Sequence, residues 1–244
     1  MSLPHLIPDW PAPANVAAAS TVRAGGVSEG PWQALNLATH VGDQPQAVAA
    51  NRARLALALA LPEAPRWLTQ VHGTTVLAAG QWTPGAPADA LVCRAPGQVA
   101  VVMSADCLPV LLCSEDGAVV AAVHAGWRGL AAGVLEATLA AMAVPAASLL
   151  AWLGPAIGPA AFEVGPEVRA AFCDALPSAA AAFRPGQGDR WHADLYALAR
   201  LRLRAAGLRR IHGGGWCTHD EPRFFSHRRT APTGRQASLI WRRA

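Results

Sequence analysis

The side chains best suited to bind a metal ion are His72, Cys107 and His124, which stand far apart along the chain. Two imidazoles and a thiolate are good ligands for a borderline-soft divalent ion such as zinc. Three protein ligands also leave a fourth position for water or substrate, which is typical of a catalytic site. The spacing matches no short zinc motif, so the residues alone leave open that Cys107 is a core residue and that each histidine bonds locally.

Four short apolar runs, each bounded by turn or polar residues, predict strands that would position these side chains. The runs are Trp67–Val71, Val99–Met103, Pro109–Cys113 and Ala118–Val123. His72 follows the first run, Cys107 lies between the second and third, and His124 follows the fourth. Because loops at strand ends commonly present active-site residues, we expect the three side chains to converge.

Helical spacing of apolar residues alternates with these runs. Helices are predicted over Gln46–Leu61, from the His124–Gly129 segment to the residues before Pro145, over Pro166–Leu176 and over Asp194–Ala206, with a further strand at Leu149–Leu153. Asp194 is placed to cap the last helix. The alternation predicts an α/β or α+β fold.

The segment Thr21–Asp43 is rich in Gly, Asn and Pro and is interpreted as strand, turn and loop. Gly25 and Gly26 are expected to adopt backbone angles that other residues avoid.

The composition favours one compact domain spanning residues 1–244. The chain is 52% hydrophobic and 15% charged, which provides enough apolar surface for a core. Its net charge is +4, and all of its basic residues are arginines. They form no basic run with interleaved aromatics, so we expect no nucleic-acid partner, whereas anionic small molecules remain compatible.

The N-terminal segment, the length of the apolar runs and the cysteines favour a cytoplasmic protein. The segment Met1–Pro13 carries four prolines and no basic start followed by an apolar run, unlike a signal peptide. No uninterrupted run of 18 apolar residues predicts a membrane span. The five cysteines are expected to be free thiols or metal ligands.

A series of motifs resembles the YfiH family, also known as the laccase-domain or polyphenol oxidase family, the peptidoglycan editing factor family and, more recently, purine nucleoside phosphorylases. The motifs cover nearly the whole chain. They are Gly25-Gly26-Val27-Ser28-x-Gly30-Pro31, Leu35-Asn36-Leu37, His40-Val41-Gly42-Asp43, Asn51-Arg52, Gln70-Val71-His72-Gly73, Ala105-Asp106-Cys107-x-Pro109, His124-Ala125-Gly126-Trp127-Arg128-Gly129, Gly154-Pro155-x-Ile157-Gly158, Phe162-Glu163-Val164-Gly165, Cys217-Thr218, Phe224-Phe225-Ser226-x-Arg228-Arg229 and Thr233-Gly234-Arg235.

The resemblance implies a layered α/β/β/α sandwich with mixed sheets, and zinc ligands at His72, Cys107 and His124. It also implies phosphorolysis of adenosine, inosine, guanosine and methylthioadenosine, together with adenosine deamination. The chain departs from the family around Arg23 and at His227, where a Tyr is frequent, and both departures concern substrate contacts.

Further residues are candidates for catalysis or substrate binding. Asp106, next to Cys107, is a candidate proton shuttle or a turn residue. Phosphate favours guanidinium forks, and the candidate arginines are Arg23, Arg128, Arg228 and Arg235. Asn36 and Gln70 are candidates for contact with ribose or base, whereas Trp127 is expected to pack.

Three alternatives remain at this point. Cys107 and His124 could be the nucleophile and base of a hydrolase that edits peptidoglycan precursors. Copper could replace zinc in a polyphenol oxidase, with Met103 as axial ligand, although the chain has no His-x-His pair. A structural zinc site would need a fourth protein ligand, for which Cys217 is the candidate, whereas Cys93, Cys113 and Cys173 are expected in the core.

Overall fold

The secondary structure alternates strands and helices along the chain in a computed structural model that describes residues 3–243. The strands are β1 (His5–Leu6), β2 (Val16–Thr21), β3 (Val76–Ala78), β4 (Ala90–Cys93), β5 (Val99–Ser104), β6 (Leu108–Ser114), β7 (Val120–Ala125), β8 (Leu149–Leu153), β9 (Glu163–Val164), β10 (Phe183–Pro185), β11 (Trp191–Ala193), β12 (Arg210–Gly213) and β13 (Gln236–Arg242). The α-helices are α1 (Pro45–Ala58), α2 (Trp127–Ala132), α3 (Val134–Met142), α4 (Pro166–Cys173) and α5 (Leu195–Ala205). Short 3₁₀ turns lie at Gly30–Trp32, Ala79–Gln81, Ala146–Ser148 and Pro177–Ala182.

The strands form three sheets. The largest has the order β12-β8-β6-β7-β4-β3 and is mixed, because β12 runs parallel to β8 and β3 parallel to β4 while the inner pairs are antiparallel. A four-stranded antiparallel sheet has the order β1-β2-β13-β5. A small antiparallel sheet pairs β10, β11 and β9.

Alternating side chains of the sheets build three apolar layers. One face of β6, with Val110 and Leu112, packs against α2 to α5. The opposite face, with Leu111 and Cys113, packs against residues of the four-stranded sheet such as Val102. The outer face of that sheet packs against α1 through Leu55. This confirms the predicted α/β class and the α/β/β/α sandwich.

The central strands read as continuous apolar runs because both of their faces are covered. Every residue of β5, β6, β7 and β8 is buried. The predicted strand at Leu149–Leu153 coincides with β8, and the other central strands lie within two residues of their predicted bounds. The Asp194 carboxylate accepts a hydrogen bond from the Ala197 N–H at 2.9 Å, as expected of the cap of α5.

The structure corrects three local predictions. The stretch Trp67–Val71 is not a strand but a loop, with one isolated bridge within it at Thr69 and another just before it at Arg66. The helix predicted before Pro145 is broken into α2 and α3 at Gly133, which has a left-handed φ of 103°. Of the glycine pair, only Gly25 has a left-handed backbone, with a φ of 96°. Gly26 is needed for a different reason, because a Cβ there would lie 2.2 Å from the Ala34 carbonyl oxygen.

No helix within residues 3–243 has the length and apolar character needed to cross a membrane.

Candidate metal centre

The three candidate ligands come from three different structural settings. Cys107 lies in the connection where the chain leaves β5 of the four-stranded sheet and enters β6 of the six-stranded sheet. His124 is the penultimate residue of β7 and pairs with Pro109 of β6. His72 lies in the loop before β3, where it has a φ of 59°, so only Cys107 and His124 lie at the ends of strands as predicted.

The structure brings these side chains together. Their ligand atoms lie within 4.8 Å of one another. The Cys107 Sγ is 3.8 Å from the His72 Nε2, and the two imidazole rings are nearly perpendicular with centroids 4.8 Å apart. A tetrahedral zinc ion holds such ligands roughly 3.3–3.8 Å apart, so the group fits the ion after a shift of about 1 Å or less. His124 is buried, Cys107 is half-buried and His72 is exposed, which leaves one side open.

A buried carboxylate that the sequence analysis did not identify orients two of these ligands. The Asp89 Oδ1 accepts hydrogen bonds from the His124 Nδ1 at 2.8 Å and the His72 N–H at 3.0 Å. Its Oδ2 accepts a bond from the Gly73 N–H at 2.7 Å. Since the His124 Nδ1 is engaged, its Nε2 is left for the metal, as in carboxylate–histidine–metal arrangements. The only sequence signal is a single charge at the start of the apolar run Ala88–Cys93.

The protonation of Cys107 suits metal binding, whereas His124 must give up a proton when an ion binds its Nε2. Burial raises the pKa of Cys107, but the neighbouring His124 and His72 outweigh it and lower that pKa to about 6. Burial lowers the pKa of His124, but Cys107 and Asp89 outweigh it and raise that pKa. Burial also opposes ionisation of Asp89, yet hydrogen bonds from His124 and Gly73 keep its pKa below the usual range. Cys107 is therefore a thiolate near neutral pH, which is the form that binds metals.

Two glycines at the start of α2 allow the ligands to approach. A Cβ on Gly126 would lie 2.8 Å from the His72 Cδ2, 3.1 Å from the Cys107 Sγ and 3.4 Å from the His124 Cε1. A Cβ on Gly129 would lie 2.7 Å from the Gly73 carbonyl oxygen. The loop that carries His72 therefore rests directly on the backbone of this helix.

The open side of the group faces a cavity of about 230 Å³. Of the four arginines predicted to bind phosphate, Arg235 lines this cavity. Gln70 and Met103 also contribute to its wall. His40 and His227 also line this cavity, although neither was among the residues predicted to bind a ligand.

Gln70 lines the cavity but already uses its amide within the protein. Its Nε2 donates to the Met103 carbonyl oxygen and its Oε1 accepts from the Met103 N–H, both at 2.7 Å. This pair of bonds ties the His72 loop to β5.

Asn36 is not brought to the cavity. It is fully buried, its Nδ2 donates to the Ala38 carbonyl oxygen and the Asp43 carboxylate, and its Oδ1 accepts from the backbone of Ala38 and Arg235. Asn36 therefore holds a loop and positions the backbone of Arg235.

Three of the four candidate arginines also lie away from the cavity lining. Arg23 stacks over Phe225 and donates to the Gln33 carbonyl oxygen. Arg128 is exposed and lies over Trp127, which itself packs against the core as expected. Arg228 donates to the Glu163 carbonyl oxygen at 3.0 Å.

Asp106 links two distant loops. Its Oδ1 accepts from the Thr218 hydroxyl and its Oδ2 from the Arg228 N–H, both at 2.7 Å. Both carboxylate oxygens thus have protein donors, which fits the turn-residue role that the sequence left open.

Cys217 does not belong to the metal-binding group found within residues 3–243. Its Sγ accepts a hydrogen bond from the Gly158 N–H at 3.2 Å. Cys93 and Cys113 are buried in the layer between the two large sheets, and Cys173 packs against the helical layer. The candidate metal group therefore has three protein ligands, and Cys217 is not a fourth.

The comparisons with known proteins agree with one another. A family model described as multi-copper polyphenol oxidoreductase laccase matches residues 17–243. A Pseudomonas aeruginosa protein named purine nucleoside phosphorylase is 55% identical over 97% of both chains. The Escherichia coli purine nucleoside phosphorylase YfiH is 53% identical over 97% of this chain and 98% of its own. A Neisseria meningitidis protein of known crystal structure is 51% identical and superposes with a TM-score of 0.95 over 98% of this chain and 99% of that one. Together these matches place the chain in the YfiH, or laccase-domain, family.

Proposed function

We propose that the chain is a zinc-dependent purine nucleoside phosphorylase that acts on adenosine, inosine, guanosine and methylthioadenosine, with adenosine deaminase activity. The observation that carries the proposal is the His72–Cys107–His124 group opening into a cavity that also contains Arg235. The names of the Pseudomonas and Escherichia relatives support the phosphorylase part. The five free thiols of the structure support the cytoplasm as the compartment.

The overall chemistry defines what the residues must do. In phosphorolysis a phosphate oxygen bonds to C1′ of the ribose, the C1′–N9 bond breaks, and its electron pair leaves with the purine, which takes up a proton. In deamination adenosine and water yield inosine and ammonia. A zinc ion held by the three ligands supplies Lewis acidity for polarising phosphate, ribose or water oxygens.

We assign roles to the residues around the metal from their positions. Arg235 binds the phosphate as a fixed cation, because its Nη1 is already oriented by the Thr233 and Gly234 carbonyl oxygens. Asp89 holds His124 in the tautomer that presents Nε2. Both carboxylate oxygens of Asp106 accept hydrogen bonds from Thr218 and Arg228, so we assign Asp106 to positioning the Cys107 loop and not to proton transfer in deamination.

The test is to incubate the pure, zinc-loaded protein with adenosine and phosphate and to separate the products by chromatography. We expect adenine with ribose 1-phosphate, and inosine from deamination. His72→Ala removes one ligand and should abolish both, whereas His5→Ala, which alters a histidine on β1, should not. Metal analysis of the active protein identifies the ion. Absence of both adenine and inosine from the parent reaction would reject the proposal.

A hydrolase is the second candidate because Asp89, His124 and Cys107 also have the order of an acid–base–nucleophile triad. The position of His72, 3.8 Å from the Cys107 Sγ, favours metal binding instead. Covalent trapping of Cys107 by an electrophilic substrate analogue in metal-loaded protein would favour the hydrolase.

Copper is the alternative ion, and the description of the matched family model is the observation in its favour. Met103 lines the same cavity as an axial candidate. However, within residues 3–243 the only group of three or more His, Cys, Asp or Glu side chains that could hold a metal ion is His72, Cys107 and His124. Three ligands are too few for a multi-copper cluster. Blue colour with phenol turnover after copper loading would support the oxidase.

A further inference from the structure

A second cavity of about 400 Å³ lies next to the metal cavity. The two share His40, Gln70 and Met103 in their lining. The shared residues form the boundary between them, so the two cavities are adjacent parts of one groove. The metal group and Arg235 lie on one side of this boundary, and Arg52 of α1 lies on the other.

The guanidinium of Arg52 is held in a fixed position. Its Nε donates to the Leu37 carbonyl oxygen at 2.9 Å, and its Cζ lies 3.9 Å from the centre of the Trp67 ring. Within residues 3–243 its two Nη atoms have no hydrogen-bond acceptor and no carboxylate partner in the structure. The fork is therefore oriented by the protein while its terminal donors stay available.

The second cavity contains no counter-charge for Arg52, and the Cys107 thiolate is the one anionic group among the described residues that line the metal cavity. Among the described residues that line the two cavities there is no Asp or Glu. Burial lowers the pKa of Arg52 to about 10, and burial also lowers the pKa of Arg235 although Cys107 and Asp106 oppose it. A desolvated guanidinium without an anion is unfavourable, so an anionic ligand would relieve a cost that the fold maintains.

His40 lies where the two positive charges act together. Burial lowers its pKa, and the charges of Arg235 and then Arg52 lower it further. Since His40 lines both cavities, with Arg235 in the lining of one and Arg52 in the lining of the other, the fields of the two guanidinium groups overlap at this boundary. The imidazole is kept neutral, and one of its nitrogens can donate a hydrogen bond to an anion.

We propose that Arg52, His40 and Arg235 form a subsite for an oxyanion of the phosphate class, extending from the metal cavity into the second cavity. The inference rests on the proposed function, in which inorganic phosphate must lie beside the nucleoside, and it adds Arg52 and His40 to the phosphate site. The same chemistry would accept the phosphate group of a nucleotide. Two guanidinium groups and an imidazole can satisfy the oxygens of either source.

The first test measures binding without turnover. Isothermal titration of the zinc-loaded protein with inorganic phosphate, and separately with adenosine monophosphate, is compared between the parent and Arg52→Gln. We expect the affinity for at least one of them to fall roughly tenfold or more, as for loss of a charged hydrogen-bonding fork. The matched control is Arg54→Gln on the same helix, which alters an exposed arginine outside both cavities and should bind as the parent does.

The two ligands distinguish the source of the phosphate group. A loss confined to inorganic phosphate identifies the free ion as ligand, and a loss confined to the monophosphate identifies a nucleotide. Unchanged affinity for both would overturn the subsite. Because Arg52 also contacts Leu37 and Trp67, Arg52→Lys serves as a second variant that keeps the charge and loses the fork, and it should weaken binding less than Arg52→Gln.

The second test separates this subsite from the proposed function. In Arg52→Gln we expect a raised KM for phosphate in phosphorolysis with little change in adenosine deamination, which uses no phosphate. Equal losses in both reactions would mean that Arg52 acts on the whole active site and would contradict the subsite. If the parent has neither activity, the proposed function fails while the titrations still decide whether the oxyanion site exists.

Discussion

At the scale of single residues, the properties of the site depend on Asp89 as much as on the three ligands. This carboxylate is completely buried and receives its donors from His124 and from the backbone of His72 and Gly73. It fixes both the ring orientation of one ligand and the loop that carries another. Replacing it with an amide of the same shape removes the charge while leaving the packing in place.

We expect Asp89→Asn to lower the zinc affinity by about 10–100-fold, since loss of such partners of metal-bound histidines has effects of this size. Competition with a fluorescent chelator measures the change. Asp189→Asn, at an exposed aspartate paired with Arg190, is the matched control and should bind zinc as the parent does. Equal affinity in both variants would show that the Asp89 charge does not support the metal.

Cys107 should be the most reactive thiol of the metal-free protein. Because its pKa is lowered to about 6, its alkylation by iodoacetamide should be nearly constant above that pH and fall below it as the thiolate is protonated. Peptide mass spectrometry gives the rate at each pH. Cys93 and Cys113 are internal controls, since burial raises the pKa of each to about 12 and should keep them unmodified.

Bound zinc should protect Cys107 from the same reagent. A Cys107 rate that keeps rising between pH 7 and about pH 9, as for an ordinary thiol, would contradict the role given to His124 and His72.

At the scale of elements, the site exists because a helix, a loop and a sheet crossover meet with very little space between them. The start of α2 carries Gly126, which faces all three ligands, and Gly129, which supports the His72 loop. Gln70 ties that loop to β5, so the loop is held between a helix of one layer and a sheet of another. The helix N-terminus therefore acts as a spacer whose small residues set the distance between ligands.

Gly126→Ala should disrupt the ligand group while the protein stays folded. The added methyl group would lie 2.8 Å from the His72 Cδ2, so the His72 loop must move. We expect a loss of zinc affinity of roughly tenfold or more together with a destabilisation of about 1–3 kcal/mol. Urea unfolding and zinc competition measure the two effects. Gly80→Ala is the control, because its Cβ would meet nothing within 4 Å, and a parent-like affinity in Gly126→Ala would refute the argument.

At the scale of the whole molecule, the metal group connects the two central layers of the sandwich. His124 belongs to the six-stranded sheet, and Cys107 lies where the chain crosses from the four-stranded sheet to it. His72 belongs to a loop tied to the four-stranded sheet through Gln70 and Met103. An ion bound by all three would therefore link segments that are otherwise joined mainly by apolar packing.

Zinc should raise the melting temperature of the protein. At a free concentration of about one hundred times Kd, binding to the folded state alone contributes about 2.7 kcal/mol, which corresponds to a shift of roughly 5–10 °C. Differential scanning calorimetry with and without zinc measures the shift. His72→Ala should lose most of it and His5→Ala should keep it, whereas an unchanged melting temperature in the parent would indicate that no specific site forms.

Local sequence indicated the central strands, the start of α5 and the candidate ligands, although it did not predict the loop at Trp67–Val71 or the break between α2 and α3. The apolar runs predicted the central strands because strands covered on both faces contain few polar residues. Asp194 predicted the start of α5 because a cap needs only a local carboxylate. His72, Cys107 and His124 could be singled out because few residue types bind soft divalent ions.

The tertiary structure alone decided which polar residues share a cavity. Asn36 and Arg228 have the side chains expected of ligand contacts, but burial and backbone hydrogen bonds engage them elsewhere. Asp89 and Arg52 gave no comparable local signal, since their roles depend on groups that reach them from distant segments. The physical reason is that hydrogen bonding, desolvation and electrostatic fields act between neighbours in space, and the order of the chain does not specify those neighbours.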